Sequence, residues 1–499
     1  MRIETLRRLA VGGSLCALAV GTPALAKAPV APTNAELANL VKAQAAEIAD
    51  LKSRLSAVEA HEQQQVAATP VTAPVQTAAQ VQQAKNDAQV AAAAQDSRSD
   101  DIAALQTQIA QLAAQSKHGV NVDWKAGGPT FSSPDGFFTF HPRVRIVTDV
   151  STTSGSRYDA RNISGTEFRD LRLGGEGTIG KFGYDLEVDF AGNVVSVKEA
   201  YISYQTKLFG MGSKTYIGNS LNDRSIEGNM ELTSLPFAER NAVASVAAPE
   251  IGYFGLGLQE KLFGKNWHVS LAVKGDDNGV NTGTHDDDIA YLARAHVNPV
   301  LNSESFIHVG GWGYHEKLDT AASINKTSAI ASDFNDEVRV SASSIANVKG
   351  DDGYGAEFGA GWHSLWAFGE YGQRTLDVSG KGKDVDQRAW TAYGGWFLTG
   401  EQAPYVAQSG VLARPHVLHP LGQGGAGAFE LLARYDNFDF KEAPKGGDGH
   451  AITLGANWYP IDILDLKLNY IRWQTDNLVG TFTGKDKGNT VLLRGELVF

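Results

Sequence analysis

Cysteine occurs once in the 499 residues, at Cys16, and methionine three times. Cys16 lies in a stretch that reads as an export signal. MRIETLRR is basic, LAVGGSLCALAVG is a short apolar run, and Ala24-Leu25-Ala26 is a cleavage motif, so the mature chain is expected to begin at Lys27. The preceding Leu15 is too large for the usual lipid-attachment motif. Thiol and disulfide chemistry are thereby excluded from the mature chain. Beyond residue 26 there is no run of 18 apolar residues, which excludes a transmembrane helix. Positive charge is also short: 44 Lys and Arg stand against 56 Asp and Glu, a formal net charge of −12. An acidic exported chain is poorly suited to nucleic acid. Catalytic and metal motifs are missing too. The 12 histidines show no H-E-x-x-H spacing. HDDD at 285–288 sits in an acidic loop and reads as solvated surface, and GQGGAG at 422–427 lacks the strand-to-helix unit of a dinucleotide loop. No cofactor, no metal and no enzymatic activity are expected.

Glycine and aromatic residues are abundant: 54 Gly, 9 Trp, 15 Tyr and 21 Phe. The mean hydropathy of −0.22 fits a membrane β-barrel as well as a soluble protein, because only alternate barrel residues face lipid. The closing stretch VLLRGELVF has that alternation. Val491, Leu493, Gly495, Leu497 and Phe499 form one face, with Arg494 and Glu496 on the other. YDLEVDF sets Tyr184, Leu186, Val188 and Phe190 against Asp185, Glu187 and Asp189. WHVSLAVK and FELLARY alternate likewise. Aromatic residues near strand ends (Phe138, Phe140, Tyr184, Phe190, Tyr201, Tyr204, Tyr435, Trp458, Tyr459, Trp473) are expected to form interface girdles. About sixteen such segments run from 137 to 499, with 336–344 too weak to count. The expected fold is an all-β antiparallel outer-membrane β-barrel of sixteen strands over 130–499. A short α-helical coiled coil and linker precede it over 27–118, and the signal occupies 1–26. The coiled coil rests on Leu37, Val41, Gln44, Ile48, Leu51, Leu55 and Val58, spaced by fours and threes. Residues 61–98 are rich in Ala, Gln and Val without a period and read as linker. Ile102, Leu105, Ile109 and Leu112 form a second short seam.

Five stretches in order carry a family resemblance: FRDLRLGGEGTIGKFGYDLEVDF (168–190) followed by VKEAYISY (197–204), SLNDRSIEGNMELTSLPFAERNAV (220–243), GGWFLTGEQAPYV (394–406), GAFELLARYDNFDF (427–440), and NWYP (457–460) with LKLNYIRW (466–473). Over roughly 135–499 the chain resembles the phosphate-selective porin O and P family of Gram-negative outer membranes. The resemblance implies a sixteen-stranded homotrimeric barrel with inward-folded loops, passing small polar or anionic solutes such as phosphate or polyphosphate along a ladder of cations. It also implies outer-membrane lipid and the barrel-assembly machinery as partners, with Phe499 as the assembly signal. Peptidoglycan or another envelope component is left as a partner for the N-terminal segment.

Alternation makes Arg143, Arg145, Arg172, Lys198 or its neighbours, Lys274, Arg294, Arg434 and Lys467 lumen candidates for binding anions. The loop 220–243 adds Arg224 and Arg240. The competing expectation is that these cations pair with inward carboxylates such as Asp149, Asp170, Glu176, Glu187, Asp189, Glu199, Glu357, Glu430 and Asp465, and hold the wall together. DRSIEGNMELTSLPFAER carries four acids and two basic residues, and no lysine cluster is evident. That balance points to a broader porin than one built for phosphate alone. A rival reading is an envelope tether, a barrel that anchors the coiled segment and conducts little.

Overall fold

The computed structural model describes residues 119–125, 128–275, 288–380 and 382–499, with a few helical positions between 82 and 107. The chain divides into two units, Met1–Ala104 and Leu105–Phe499, and the barrel lies in the second. The heptad segment 34–60 lies outside the described residues. In the stretch read as linker, Gln82, Gln83, Lys85, Asn86, Gln89 and Val90 are helical, as the helix propensity of an Ala- and Gln-rich sequence allows.

Among the described residues sixteen antiparallel strands form the barrel. They are β1 (Phe138–Ser154), β2 (Ser164–Ile179), β3 (Phe182–Asp189), β4 (Ser196–Leu208), β5 (Met211–Leu221), β6 (Phe254–Phe263), β7 (Trp267–Gly275) and β8 (Ile289–Leu301). The second half comprises β9 (Ser305–Ile324), β10 (Ile345–Trp362), β11 (Leu365–Val378), β12 (Val385–Phe397), β13 (Ala428–Asp439), β14 (Asp448–Ile461), β15 (Leu464–Asn477) and β16 (Gly484–Val498). Each strand pairs with its neighbours in sequence. β16 pairs with β1, from Asn489↔Ser154 to Val498↔Arg145, which closes the sheet. Closure removes the unpaired edges that lipid does not tolerate. A hairpin, Asn121–Lys125 and Gly128–Ser132, adds to the first strand through Phe131↔Phe140 and Ser132↔Thr139. Phe499 continues the seam: its N–H donates to the Val144 carbonyl (3.1 Å), and its carbonyl accepts from the Val144 N–H (2.7 Å).

The side-chain period of two follows the sequence pattern. On β16, Val491 and Leu493 are exposed while Arg494 and Glu496 are buried inside. On β3, Asp185, Glu187 and Asp189 point inward. Outward aromatics include Phe182, Trp362, Trp396 and Phe429 at one end, and Tyr291, Tyr354, Tyr371 and Trp390 further along the strands. Three expected girdle residues point inward instead. Tyr201 meets Tyr216 edge-on inside the bore (5.2 Å), and Tyr459 and Trp473 are buried. Their place in the period, not their nearness to a strand end, sets the face.

Two-residue turns close β2–β3, β4–β5, β10–β11 and β14–β15 at one end, and by strand alternation this is the periplasmic end. The opposite end carries the longer loops. Two of these, 222–253 and 325–344, contribute buried apolar side chains to the barrel interior. The weak segment near 336–344 yields only Arg339–Ser341, paired with Thr327–Ala329 in a small sheet of its own. One connection breaks the pattern: 398–427, between β12 and β13, is long yet lies at the short-turn end, and its Val411, Leu412 and Val417 are buried in the interior.

These insertions fill the β8–β15 side of the bore. The loop 222–253 contains a short helix, α1 (Ala242–Val246), capped at its start by the Asn241 side chain, which accepts from the Ala244 N–H (2.8 Å). α1 packs so closely on β11 that a Cβ at Gly372 would lie 2.9 Å from Val243 and 3.0 Å from Ala247. Around it lie Trp312, Tyr314, Leu318, Val340 and Phe440. A second apolar cluster joins Ile226, Met230, Leu235 and Phe237 of the loop to Phe306, Trp366, Phe368 and Tyr393 of the wall.

Candidate functional site: a charged path along one wall

The β1–β5 side of the bore stays open. A cavity of about 630 Å³ toward the periplasmic end is lined by residues including Thr139, His141, Glu176, Tyr201, Gln205 and Lys214. Nearer the long loops a second cavity of about 290 Å³ is bordered by Arg145, Arg172, Lys198 and Glu199 on the wall, and by Glu231 and Arg240 on the loop 222–253. On β1 the inward residues run Thr139, His141, Arg143, Arg145. Arg143 therefore sits between the two cavities, with Asp185 of β3 at the same level.

That level is a dense ion network. The Arg143 Nη1 donates to Asp185 (2.6 Å) and Glu199 (3.3 Å), and its Nη2 donates to both oxygens of Glu231 (3.1 and 3.2 Å). Arg145 donates to the same Glu231 (2.6 Å) and lies 3.2 Å from Glu187. Arg172 contacts Glu187 (2.9 Å), Asp170 (2.9 Å) and Asp189 (3.6 Å). Glu187 and Glu199 face one another across β3 and β4, a like-charged pair that the arginines bridge. Burial works to raise the Glu231 carboxyl, and the guanidiniums of Arg145 and Arg143 outweigh it and hold it low. The arrangement sets cations and anions side by side across a passage, the field that orients and sorts charged solutes.

The model of the family described as phosphate-selective porin O and P matches residues 140–499. The chain belongs to that family. This porin is an outer-membrane channel of a Gram-negative bacterium, and the channel reading is favoured over the tether. Porin O of Pseudomonas aeruginosa is 24% identical over 430 residues, 75% of this chain and 91% of that protein. An uncharacterized protein of Caulobacter vibrioides is 27% identical over 369 residues, 70% of this chain and 71% of the relative. Among solved structures, the anion-selective porin from Comamonas acidovorans aligns over 72% of this chain and 100% of its own at 14% identity, with a TM-score of 0.46. The outer membrane channel DcaP of Acinetobacter baumannii aligns over 74% and 99% at 14% identity, with a TM-score of 0.44.

Of the expected lumen cations, this porin brings Arg145, Arg172 and Arg240 to the border of the second cavity, with Lys198 beside them, Arg143 joined to the same Glu231, and Arg240 also donating to the carbonyls of Glu227 and Met230. The others lie elsewhere. Arg224 is buried and caps α1, donating to the carbonyls of Ala247 (2.9 Å) and Ala244 (3.0 Å). Lys274 donates to the Ser220 and Leu221 carbonyls (2.8 and 3.1 Å). Arg294 forks onto Glu357 (2.9 Å twice), reaches Asp223 (3.0 Å), and holds the carbonyls of Ser409 and Gly410 in the periplasmic insertion. Arg434 pairs with Asp436 (2.7 Å) above the Phe237 ring (4.5 Å). Lys467 is buried on Glu496 (2.9 Å). All the carboxylates named as inward neighbours do face inward, and the pairing expectation describes most of these arginines.

Three features went unread in the sequence. Glu231 was counted only as one acid among four. Lys214 and Lys261 stand opposite each other on β5 and β6, and both lie over the Tyr216 ring (4.8 and 5.6 Å). The third is the insertion 398–427. Its Tyr405 stacks on Phe306 (4.0 Å) and its hydroxyl meets His308 Nδ1 (2.8 Å), while Arg414 reaches across to the Thr233 carbonyl (3.0 Å) of the loop 222–253. Gly410 is required there: its φ is +66°, and a Cβ would strike the His296 and His308 rings. The signal available was parity, since a long connection stands where alternation calls for a short turn.

Proposed function

We propose that this porin is a passive, weakly charge-selective diffusion channel for small hydrophilic solutes, phosphate-like anions among them, which travel along the β1–β5 wall. The observation that carries this reading is the cavity pair on that wall, with cationic and anionic side chains interleaved at the level between the cavities. Arg143, Arg145, Arg172 and Arg240 act on passing anions. Arg224, Lys274, Arg294 and Arg434 hold the inward loops in place. The interleaving favours modest selectivity, because the guanidiniums of Arg143, Arg145 and Arg172 already have carboxylates beside them, and Arg240 donates to the carbonyls of Glu227 and Met230. The cleavage motif at 24–26 supports a mature chain that begins at Lys27, the heptad seam at 34–60 supports self-association of the N-terminal segment, and membership of the family supports assembly of three copies side by side. No catalytic activity is assigned.

The test is planar-bilayer recording of the purified full-length mature chain in a potassium chloride gradient. The reading predicts stepwise insertion of open channels and a reversal potential close to zero, which shifts when phosphate replaces chloride. A chain deleted for 27–118 is expected to conduct equally. Closed barrels, with envelope integrity lost on that deletion, would instead favour the tether.

A further inference from the structure

The carboxylates around Arg143 and Arg145 are not equivalent. Asp185, Glu187 and Glu199 come from strands, and their side chains are 2%, 2% and 13% exposed. Glu231 comes from the inward loop and is 41% exposed. Its neighbours Met230 and Leu232 are buried in the apolar cluster, so the backbone on either side is pinned while the Glu231 side chain alone turns back toward the wall. There it places two oxygens within 2.6 to 3.2 Å of the Nη2 atoms of two arginines. A carboxylate held by two guanidiniums occupies the geometry that a phosphate or carboxylate solute would take up.

We infer that Glu231 is a specificity-determining residue, a tethered anion that occupies the Arg143–Arg145 pair and keeps free anions from binding there. This rests on the reading of the β1–β5 wall as the solute path. A solute anion binds the pair only by displacing Glu231, and tethering makes the loop carboxylate a strong competitor through its high local concentration. The strand carboxylates do not serve this role, because their backbones are fixed in the sheet and their side chains are covered. Without Glu231 the pair keeps its position, set by β1 and by Asp185 and Glu187, and presents free N–H donors to the passage.

The experiment compares the full-length chain with Glu231→Gln, Glu231→Asp and Asp189→Asn. Asp189 also borders the second cavity, so its neutralisation controls for the loss of one negative charge. Two readouts are taken: reversal potential in a potassium chloride gradient, and calorimetric titration of the detergent-folded barrel with inorganic phosphate. Heat-modifiable migration confirms folding of each variant. Glu231→Gln is expected to raise chloride-over-potassium permeability several-fold more than Asp189→Asn does, to make chloride current saturably blocked by phosphate, and to create phosphate binding that the parent chain lacks. Adding Arg143→Gln and Arg145→Gln should abolish that binding, and Glu231→Asp should behave as the parent. A selectivity shift no larger than that of Asp189→Asn, with no phosphate binding gained, would overturn the inference. Phosphate binding gained by a Glu231→Gln barrel that does not conduct would sustain the tethered-anion role and contradict the channel reading instead. If Glu231→Gln does not fold, the triple variant and Glu231→Ala carry the same calorimetric comparison.

Discussion

Charges in the bore act at short range. Two unit charges ~4 Å apart interact by about 1 kcal/mol in bulk water and about 4 kcal/mol near a protein surface, whereas charges beyond ~8–10 Å are screened by salt. The net charge of −12 therefore says little about which ions pass, and the few groups at the Arg143 level decide it. Neutralising Arg143 and Arg145 together to glutamine takes the guanidinium partners from Asp185, Glu199 and Glu231 beside the path and leaves Glu187 with Arg172 alone. The reversal potential is expected to move toward cation preference by an amount equivalent to a several-fold change in permeability ratio. Arg224→Gln and Arg434→Gln are expected to leave it unchanged and to lower the temperature of barrel denaturation, because these arginines hold carbonyls and carboxylates inside the packed half. If Arg224→Gln shifts selectivity as far as the wall pair does, the assignment of the open side is wrong. Which residues face inward was legible from alternation alone. Which carboxylate each arginine meets was not, since Arg143 meets Glu231 only through the fold of a loop 88 positions along the chain.

At the scale of elements, the sixteen strands were legible because a lipid-facing sheet imposes a strict period of two, and 336–344, too weak in that period to count, contributes no strand to the wall. The inward loops were not legible as insertions. Ile226, Met230, Leu235 and Phe237 show neither helical nor strand period, and only an unusual apolar density in a polar connection marks them. The closing strand carries its own prediction. Phe499 pairs through both backbone groups with Val144 on β1, and its ring reaches the backbone turn at Gly128, where an added Cβ would meet Phe499 at 3.4 Å. Phe499→Asp keeps the backbone pairing and sets a charge at the membrane rim, so folding of purified chain in detergent should be mildly affected while delivery to the outer membrane falls strongly. Heat-modifiable migration measured on isolated outer membranes checks this. Wild-type amounts of the variant there would remove the assembly role from the last residue.

At the scale of the whole molecule, the barrel is packed on its β8–β15 side and open along β1–β5, so the proposed solute path is off-centre. Composition and period cannot show this, because both halves of the wall alternate equally well. The asymmetry arises from where two apolar clusters settle, and from a periplasmic insertion that Arg294 and Arg414 fasten to the wall and to the opposing loop. The most direct measurement uses single cysteines in a Cys16→Ser background, which is otherwise free of thiols. A negatively charged sulfonate thiol reagent is applied to open channels carrying Gln205→Cys, which lines the larger cavity, or Thr453→Cys, which faces inward on β14 but is buried. Rapid modification and a stepwise fall in conductance are expected at position 205, with no change at position 453. Block from position 453 without block from position 205 would place the path on the other side of the barrel and contradict a path along β1–β5.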